Sequence, residues 1–168
     1  GWMLPSEVFD WININIAIGS RVLEFGSGNG SIILSKRFDL ISIEHDEAWL
    51  NISSGRYIHA EIAENPYSTE FSQKGWYNFE KVVELPTNVE LIIIDGPPGE
   101  IGRAGILNFL KDLPYAKWIL VDDTDRADEK ALLNRLIELL KPLSLVNIIS
   151  KSKRGNGEYR RATVLKMG

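Results

Sequence analysis

The feature that most limits what this chain can become is the run Glu24-Phe25-Gly26-Ser27-Gly28-Asn29-Gly30. Residues 21–25 (RVLEF) before it read as a short buried strand, and residues 31–37 after it read as an apolar helix. Three alternating glycines permit positive φ and let another group approach the backbone closely. A strand that turns this tightly into a helix opens a βαβ unit, whose next strand returns parallel to the first. The helix start after the turn also favours an electronegative ligand.

The rest of the chain repeats the alternation. Residues 40–44 (LISIE), 56–60 (RYIHA), 90–95 (ELIIID) and 117–122 (KWILVD) read as strands. Residues 46–52, 103–112 and 126–140 read as helices, 79–85 as one or two helical turns, and 143–150 with 159–167 as a closing hairpin. Residues 5–18 carry both a helical face (Phe9, Ile12, Ile16) and a period-two run from Ile12 to Ile18. Pro5 and Ser6 supply a start signal, so a helix is expected there. Strands apolar along nearly their whole length need cover on both faces. The expected fold class is therefore α/β: a three-layer sandwich around a mostly parallel, seven-stranded sheet with a C-terminal antiparallel hairpin. The 168 residues show no linker or internal repeat, so one domain over 1–168 is expected.

Composition removes several classes. With no cysteine, a disulfide scaffold, a thiolate zinc site and a cysteine nucleophile are excluded. Two histidines, His45 and His59, argue against a multi-histidine zinc site. A formal net charge of −4 argues against a nucleic-acid partner, which calls for a basic surface. No apolar run approaches the roughly 20 residues of a membrane span, and no basic segment leads into an apolar one at the amino end. A cytoplasmic location and no membrane partner are expected.

Ligands of open parallel sheets lie at the carboxyl ends of the strands, near the point where strand order reverses. Acidic residues cluster there: Glu24 beside the glycines, Glu44, Glu61, Asp95, and the pair Asp122-Asp123. A carboxylate at Glu44, 20 positions after Glu24, suits the hydroxyls of a ribose. The glycine spacing is G-x-G-x-G with Ser31 next, tighter than the G-x-G-x-x-G of nicotinamide dinucleotide sites. This argues against a nicotinamide-dependent oxidoreductase.

The segments VLEFGSGNG (22–30), ISIEHD (41–46), LIIIDGPPG (91–99) and WILVDD (118–123) together resemble the class I S-adenosylmethionine-dependent methyltransferase family. The resemblance covers roughly residues 20 to 167 and implies a Rossmann-like fold with S-adenosylmethionine as cofactor. It further implies cofactor contacts from Glu24 towards the methionine amino group, from Gly26, Ser27, Gly28 and Gly30 through the backbone, and from Glu44 to the ribose. His45 would stand beside the adenine, Glu61 near the adenine amino group, and Asp95 close to the methyl group. Asp95, Asp122 and Asp123 are also similar to the magnesium ligands of the catechol O-methyltransferase-like subgroup. Asp123 stands there for an asparagine, and Pro98 stands where that subgroup has a catalytic lysine. Asp95 and Asp122 are thus the catalytic candidates, either as Mg²⁺ ligands or, without metal, with Asp95 as general base.

The implied reaction is methyl transfer to a hydroxyl, or less readily an amine, of a small molecule or sugar. Asp95-Gly96-Pro97-Pro98 departs from the Asn/Asp-Pro-Pro-aromatic motif of enzymes that methylate adenine or glutamine amines. The alternative is a non-catalytic S-adenosylmethionine-binding domain, regulatory or part of a complex. Several features keep two readings. Arg103 is either an anion ligand or a helix-surface residue. The basic segment 151–154 with Arg160 and Arg161 is either an anion-steering patch or a solvated hairpin loop. Asp123 is either part of the acid cluster or a cap for the helix near Arg126. The aromatics Tyr67, Phe71, Trp76, Tyr77 and Phe79 form either a lid or satellite core.

Overall fold

A computed structural model describes residues 3–64, 75–81 and 84–168. Its main sheet has seven strands in the order β3-β2-β1-β6-β7-β9-β8. The strands are β1 (Arg21–Phe25), β2 (Asp39–Glu44), β3 (Arg56–His59), β6 (Asn88–Ile94), β7 (Tyr115–Val121), β8 (Ser144–Lys153) and β9 (Tyr159–Lys166). The first five run parallel, and β9 pairs antiparallel with both β7 and β8. The chain moves outwards from β1 through β2 to β3, then returns to lay β6 on the other side of β1. Order therefore reverses between β1 and β6, where Gly26 and Asp95 leave the sheet. The expected fold class is the one observed.

Two apolar layers cover the sheet because alternate residues of each buried strand face opposite ways. Val22, Leu40, Leu91, Ile93 and Leu120 pack beneath helix α1 (Ser6–Asn15), against its Val8 and Ile12 and against Leu34 of helix α2 (Asn29–Ser35). Leu23, Phe25, Ile43, Ile92, Ile94 and Val121 face the other way, towards Leu132 and Leu136 of helix α3 (Ala127–Leu140) and towards Trp76, Tyr77 and Ile106. Pro5 precedes α1 and contributes the first carbonyl of its ladder, accepting from Val8 N at 3.0 Å. Ser6 is the first helical residue rather than a capping one, and its hydroxyl donates to Glu7. Helix α3 stops at Lys141, which takes the left-handed conformation (φ 47°) ahead of Pro142.

Two expectations are corrected. Residues 46–52 form only a 3-10 turn, Glu47–Trp49, which Asp46 caps by accepting from Ala48 N at 2.9 Å. Residues 103–112 form two 3-10 turns, Ala104–Asn108 and Leu110–Asp112, not a continuous helix. A Cβ on Gly105 would stand 2.2 Å from the Trp76 side chain, so the tight turn lets the backbone settle on that indole. After β3 the chain forms a separate two-stranded antiparallel ribbon, β4 (Ile62–Glu64) with β5 (Gly75–Tyr77). Of residues 79–85, Phe79–Lys81 form a 3-10 turn, while 82–83 lie outside the described residues. No helix among the described residues is long and apolar enough to cross a membrane.

Candidate active site

Two cavities meet at the carboxyl ends of the strands. One, of about 230 Å³, lies at the β1/β6 switch point. Gly26, Ser27, Glu44, His45 and Asp95 line it, together with Trp49, Tyr77, Pro98, Glu100 and Ile101. Gly26 is needed in this wall for a specific reason. Its φ is +89°, and a Cβ there would stand 2.9 Å from the Gly96 backbone, so only glycine lets the two strand ends close up.

Glu44 is buried and its carboxylate is already organised. Oε2 accepts from Ser27 N at 2.7 Å, and Oε1 accepts from His45 N at 2.7 Å and Asp46 N at 2.8 Å. These bonds tie the end of β2 to the glycine turn and fix a hydrogen-bond acceptor in the cavity wall. Two polar atoms around it have no partner: His45 Nδ1, 2.9 Å from Glu44 Oε1 but poorly aligned for a hydrogen bond, and the Tyr77 hydroxyl. Buried orphan groups of this kind are rare unless a ligand completes them. Burial, with Glu44 nearby, pushes the Tyr77 hydroxyl well above its ordinary pKa, so it stays a proton donor.

Glu24 lies below this wall rather than in it. β1 and β2 pair with Glu24 opposite Ser42, so both side chains share the α1-facing side of the sheet. Glu24 Oε1 accepts from Ser42 Oγ at 2.6 Å and from Ser31 Oγ at 2.5 Å. Ser31 Oγ in turn accepts from Gly28 N at 3.1 Å and Ser27 Oγ at 3.2 Å. Burial pushes the Glu24 carboxyl up to about 7 despite the two serine bonds. Gly30 is also set away from the cavity: a Cβ there would meet the Phe9 ring at 3.0 Å, so this glycine serves the packing of α1 on α2. Gly28 caps α2, and Glu61 is exposed where β3 passes into the ribbon, accepting from Asn78 N at 2.8 Å through its carbonyl. Neither lines the cavity.

The second cavity, of about 320 Å³, is lined by Met3, Asp95, Asp123 and four arginines: Arg103, Arg126, Arg154 and Arg160. Asp95 alone lines both cavities. The three strand-end carboxylates converge as the sequence implied, with one oxygen from each of Asp95, Asp122 and Asp123 within 4.8 Å of one another. Guanidinium groups, however, already serve them. Arg103 is 3% exposed and donates to Pro97 O (3.1 Å), Asp122 O (3.2 Å), Asp95 O (3.0 Å) and Asp123 Oδ2 (3.1 Å). Asp123 Oδ2 also faces Arg126 Nη1 at 3.2 Å, and Asp123 Oδ1 accepts from Arg154 and, at 3.5 Å, from Arg160. Arg160 Nη2 donates to Asp122 Oδ2 at 3.2 Å. Asp122 Oδ1 is left without a partner, but a divalent cation there would sit among four guanidinium charges, so this donor set does not suit Mg²⁺.

The arginines also separate the titrations of the three acids. Burial and the neighbouring Asp122 carboxylate raise Asp95 well above the ordinary range, although its edge is 30% exposed to the cavities. Burial and Asp123 raise Asp122, whose Oδ1 has no partner. Burial works against Asp123 as well, but Arg103, Arg126 and Arg154 outweigh it and hold that carboxyl low. Asp123 is not a helix cap. It takes φ +60°, its carbonyl accepts from Arg126 N at 2.8 Å, and α3 begins without a side-chain cap.

Arg103 is neither of the things expected of it, an anion ligand or a surface residue. It is a buried tie between the loop after β6 and the ends of β6 and β7. Arg154 and Arg160, by contrast, fold inwards from the hairpin, so this part of the basic loop is not simply solvated. Trp76 and Tyr77 are core residues, and Phe79 stacks on Phe109 at 4.5 Å; Tyr67 and Phe71 lie outside the described residues. Sequence reasoning missed Trp49, Tyr77 and Ile101 as cavity walls and Ser31 and Ser42 as partners of Glu24. A serine at the position after the glycine run was the one visible signal.

No family model matches the sequence, and no curated protein is detectably similar to it. Solved structures do match. The METTL16 MTase domain superposes with a TM-score of 0.61 at 13% identity, covering 96% of this chain and 65% of that one. This chain thus spans just under two thirds of that domain's length. The O-methyltransferase TomG of Streptomyces achromogenes, solved with S-adenosylmethionine, gives 0.54 at 13% identity over 96% and 79% of the two chains. An O-methyltransferase of Bacillus cereus, solved with S-adenosylhomocysteine, gives 0.55 at 14% identity over 95% and 80%. The chain has the Rossmann-like fold of class I S-adenosylmethionine-dependent methyltransferases.

Proposed function

We propose that this protein is an S-adenosylmethionine-dependent methyltransferase acting on a hydroxyl of a small molecule or sugar, with an amine the less suited acceptor. One observation carries the reading: Asp95 is the single residue shared by the switch-point cavity and the arginine-lined cavity. The first cavity suits the cofactor. Glu44 presents a fixed carboxylate for ribose hydroxyls, His45 Nδ1 and the Tyr77 hydroxyl await partners, and Trp49 and Ile101 supply apolar walls for a base. The second cavity suits the acceptor.

S-adenosylmethionine supplies a methyl group on a cationic sulfur, so the acceptor oxygen needs alignment and the loss of its proton. Asp95 takes that proton. Its raised pKa makes it a stronger base than a solvated aspartate, and the edge facing the cavities gives a hydroxyl access. Arg103 holds the Asp95 carbonyl and fixes the direction of the side chain. Asp122 contributes as a neighbour that raises Asp95, not as a metal ligand. The reading is metal-free, and chelation should leave turnover unchanged.

The test is a thermal melt with S-adenosylhomocysteine, with NAD as control, each with and without Mg²⁺. At a hundred times its dissociation constant a ligand stabilises by about 2.7 kcal/mol. S-adenosylhomocysteine alone should raise the Tm, and Mg²⁺ should add nothing. No shift, or a shift with NAD only, would sink the reading; a further rise with Mg²⁺ would restore the metal-dependent form. Glu44→Ala should weaken S-adenosylhomocysteine by roughly 1–3 kcal/mol in calorimetry on protein shown to be folded. A non-catalytic binding domain would bind equally well but give no product with any acceptor, and Asp95→Asn separates the two by abolishing turnover only in an enzyme.

A further inference from the structure

The second cavity has more positive donors than its own acids consume. Arg103 is spent on Asp95, Asp122 and Asp123. Arg154 is spent on Asp125, through Nε and Nη2, and on Asp123. Arg126 and Arg160 are not. A guanidinium carries five N–H donors. Arg126 makes one ion pair, through Nη1 with Asp123, feels the nearby Glu129 carboxylate, and has its side chain 38% exposed. Arg160 engages its acids through Nη2 alone, its side chain is 25% exposed, and its Nε is buried with no hydrogen-bond partner. Asp122 and Asp123 are largely covered by these arginines: their side chains are 1% and 5% exposed, and of the two only Asp123 reaches the cavity wall. The cavity wall therefore offers an entering ligand both guanidinium edges and the Asp95 carboxylate.

That pattern specifies a chemistry. Planar guanidinium forks select carboxylates and phosphates, whose oxygens match their donor spacing. A neutral sugar would offer the exposed guanidinium donors of Arg126 and Arg160 only weak acceptors. A cationic amine would be repelled. We propose that the acceptor is an anion, and that Arg126 and Arg160 bind its carboxylate or phosphate group in this cavity while its reacting hydroxyl lies against Asp95. This rests on the methyltransferase reading for the word acceptor, but the oxyanion site itself does not. Arg126 and Arg160 belong to different elements, the start of α3 and strand β9, so the site exists only once the hairpin has docked.

The experiment is an NMR titration of the full chain saturated with S-adenosylhomocysteine, following the arginine Nε–H signals. The probes are inorganic phosphate, glycolate as carboxylate and chloride as control, at constant ionic strength. Saturable movement of the Arg160 Nε–H signal with phosphate, glycolate or both is expected, with little from chloride. Preference for one probe identifies the group as phosphate ester or carboxylate. Arg126→Gln and Arg160→Lys, each checked for folding, should weaken the oxyanion by about tenfold or more, since each loses a fork contact. Removing a remote charge with Lys117→Met should not. Unsaturable movement, an equal response to chloride, or unchanged affinity in both variants would overturn the proposal. S-adenosylhomocysteine binding without oxyanion binding would overturn this inference alone. Oxyanion binding without S-adenosylhomocysteine binding would instead overturn the methyltransferase reading.

Discussion

A carboxyl group sealed between two serine hydroxyls inside a sheet costs stability whenever it must ionise. Glu24 is that group, with its pKa raised by burial from 4.5 to about 7. In this range the folded chain holds a proton that the unfolded chain has released, so stability falls as pH rises. The penalty is absent below about 4.5, builds up to about 7, and is complete above it. It is of the order of 3 kcal/mol. Glu24→Gln should therefore raise the Tm at pH 8 and flatten the decline of stability between pH 5 and 7. An unchanged pH profile in the variant would contradict this account of the residue. At the same scale, Asp95→Asn keeps the side chain's shape in the cofactor cavity, so it should leave S-adenosylhomocysteine binding largely intact while reducing turnover by at least about a hundredfold. In the unaltered protein the acid limb of kcat/KM should lie above the ordinary carboxylate range, because burial and Asp122 raise Asp95.

At the scale of elements, the molecule depends on junctions more than on the strands themselves. The glycine turn was legible because φ > 0 and a close backbone approach leave few alternatives at Gly26. Strands β1, β2, β6 and β7 were legible because their apolar runs have almost no exposed face to alternate with. Residues 103–112 were not. Apolar spacing suggested a helix, but Gly105 lies against Trp76, a residue distant in sequence, and that contact selects two 3-10 turns. Gly105→Ala tests this. A Cβ 2.2 Å from Trp76 Cβ and 2.4 Å from its indole has no room, so the variant should lose about 1–3 kcal/mol in chemical denaturation. A helix-like response, with alanine neutral or stabilising, would show that the turn does not need glycine. Gly30 carries a similar lesson. Its place in the motif suggested a ligand contact, while its Cβ direction points at Phe9.

At the scale of the whole molecule, the charge cluster at the ends of β6 and β7 joins distant parts of the chain. Arg103 comes from the loop after β6, Arg126 from the start of α3, and Arg154 and Arg160 from the hairpin. Breaking such a network from inside leaves acids buried without partners. Arg103→Met should cost about 3–5 kcal/mol, more than Arg126→Gln, and urea denaturation would measure the difference. Equal costs would mean that Arg103 is not the central tie.

The sequence by itself determined the α/β layering, the glycine turn and the acidic strand ends. These follow from local chemistry: apolar periodicity, backbone freedom at glycine, and the rule that parallel strands deliver their last residues to one edge. Only the tertiary structure decided what those acids face. Whether Asp95, Asp122 and Asp123 meet a metal or a set of arginines depends on side chains contributed from as far away as residue 160. Electrostatic partners are chosen by distance in space, and no spacing along the chain encodes it.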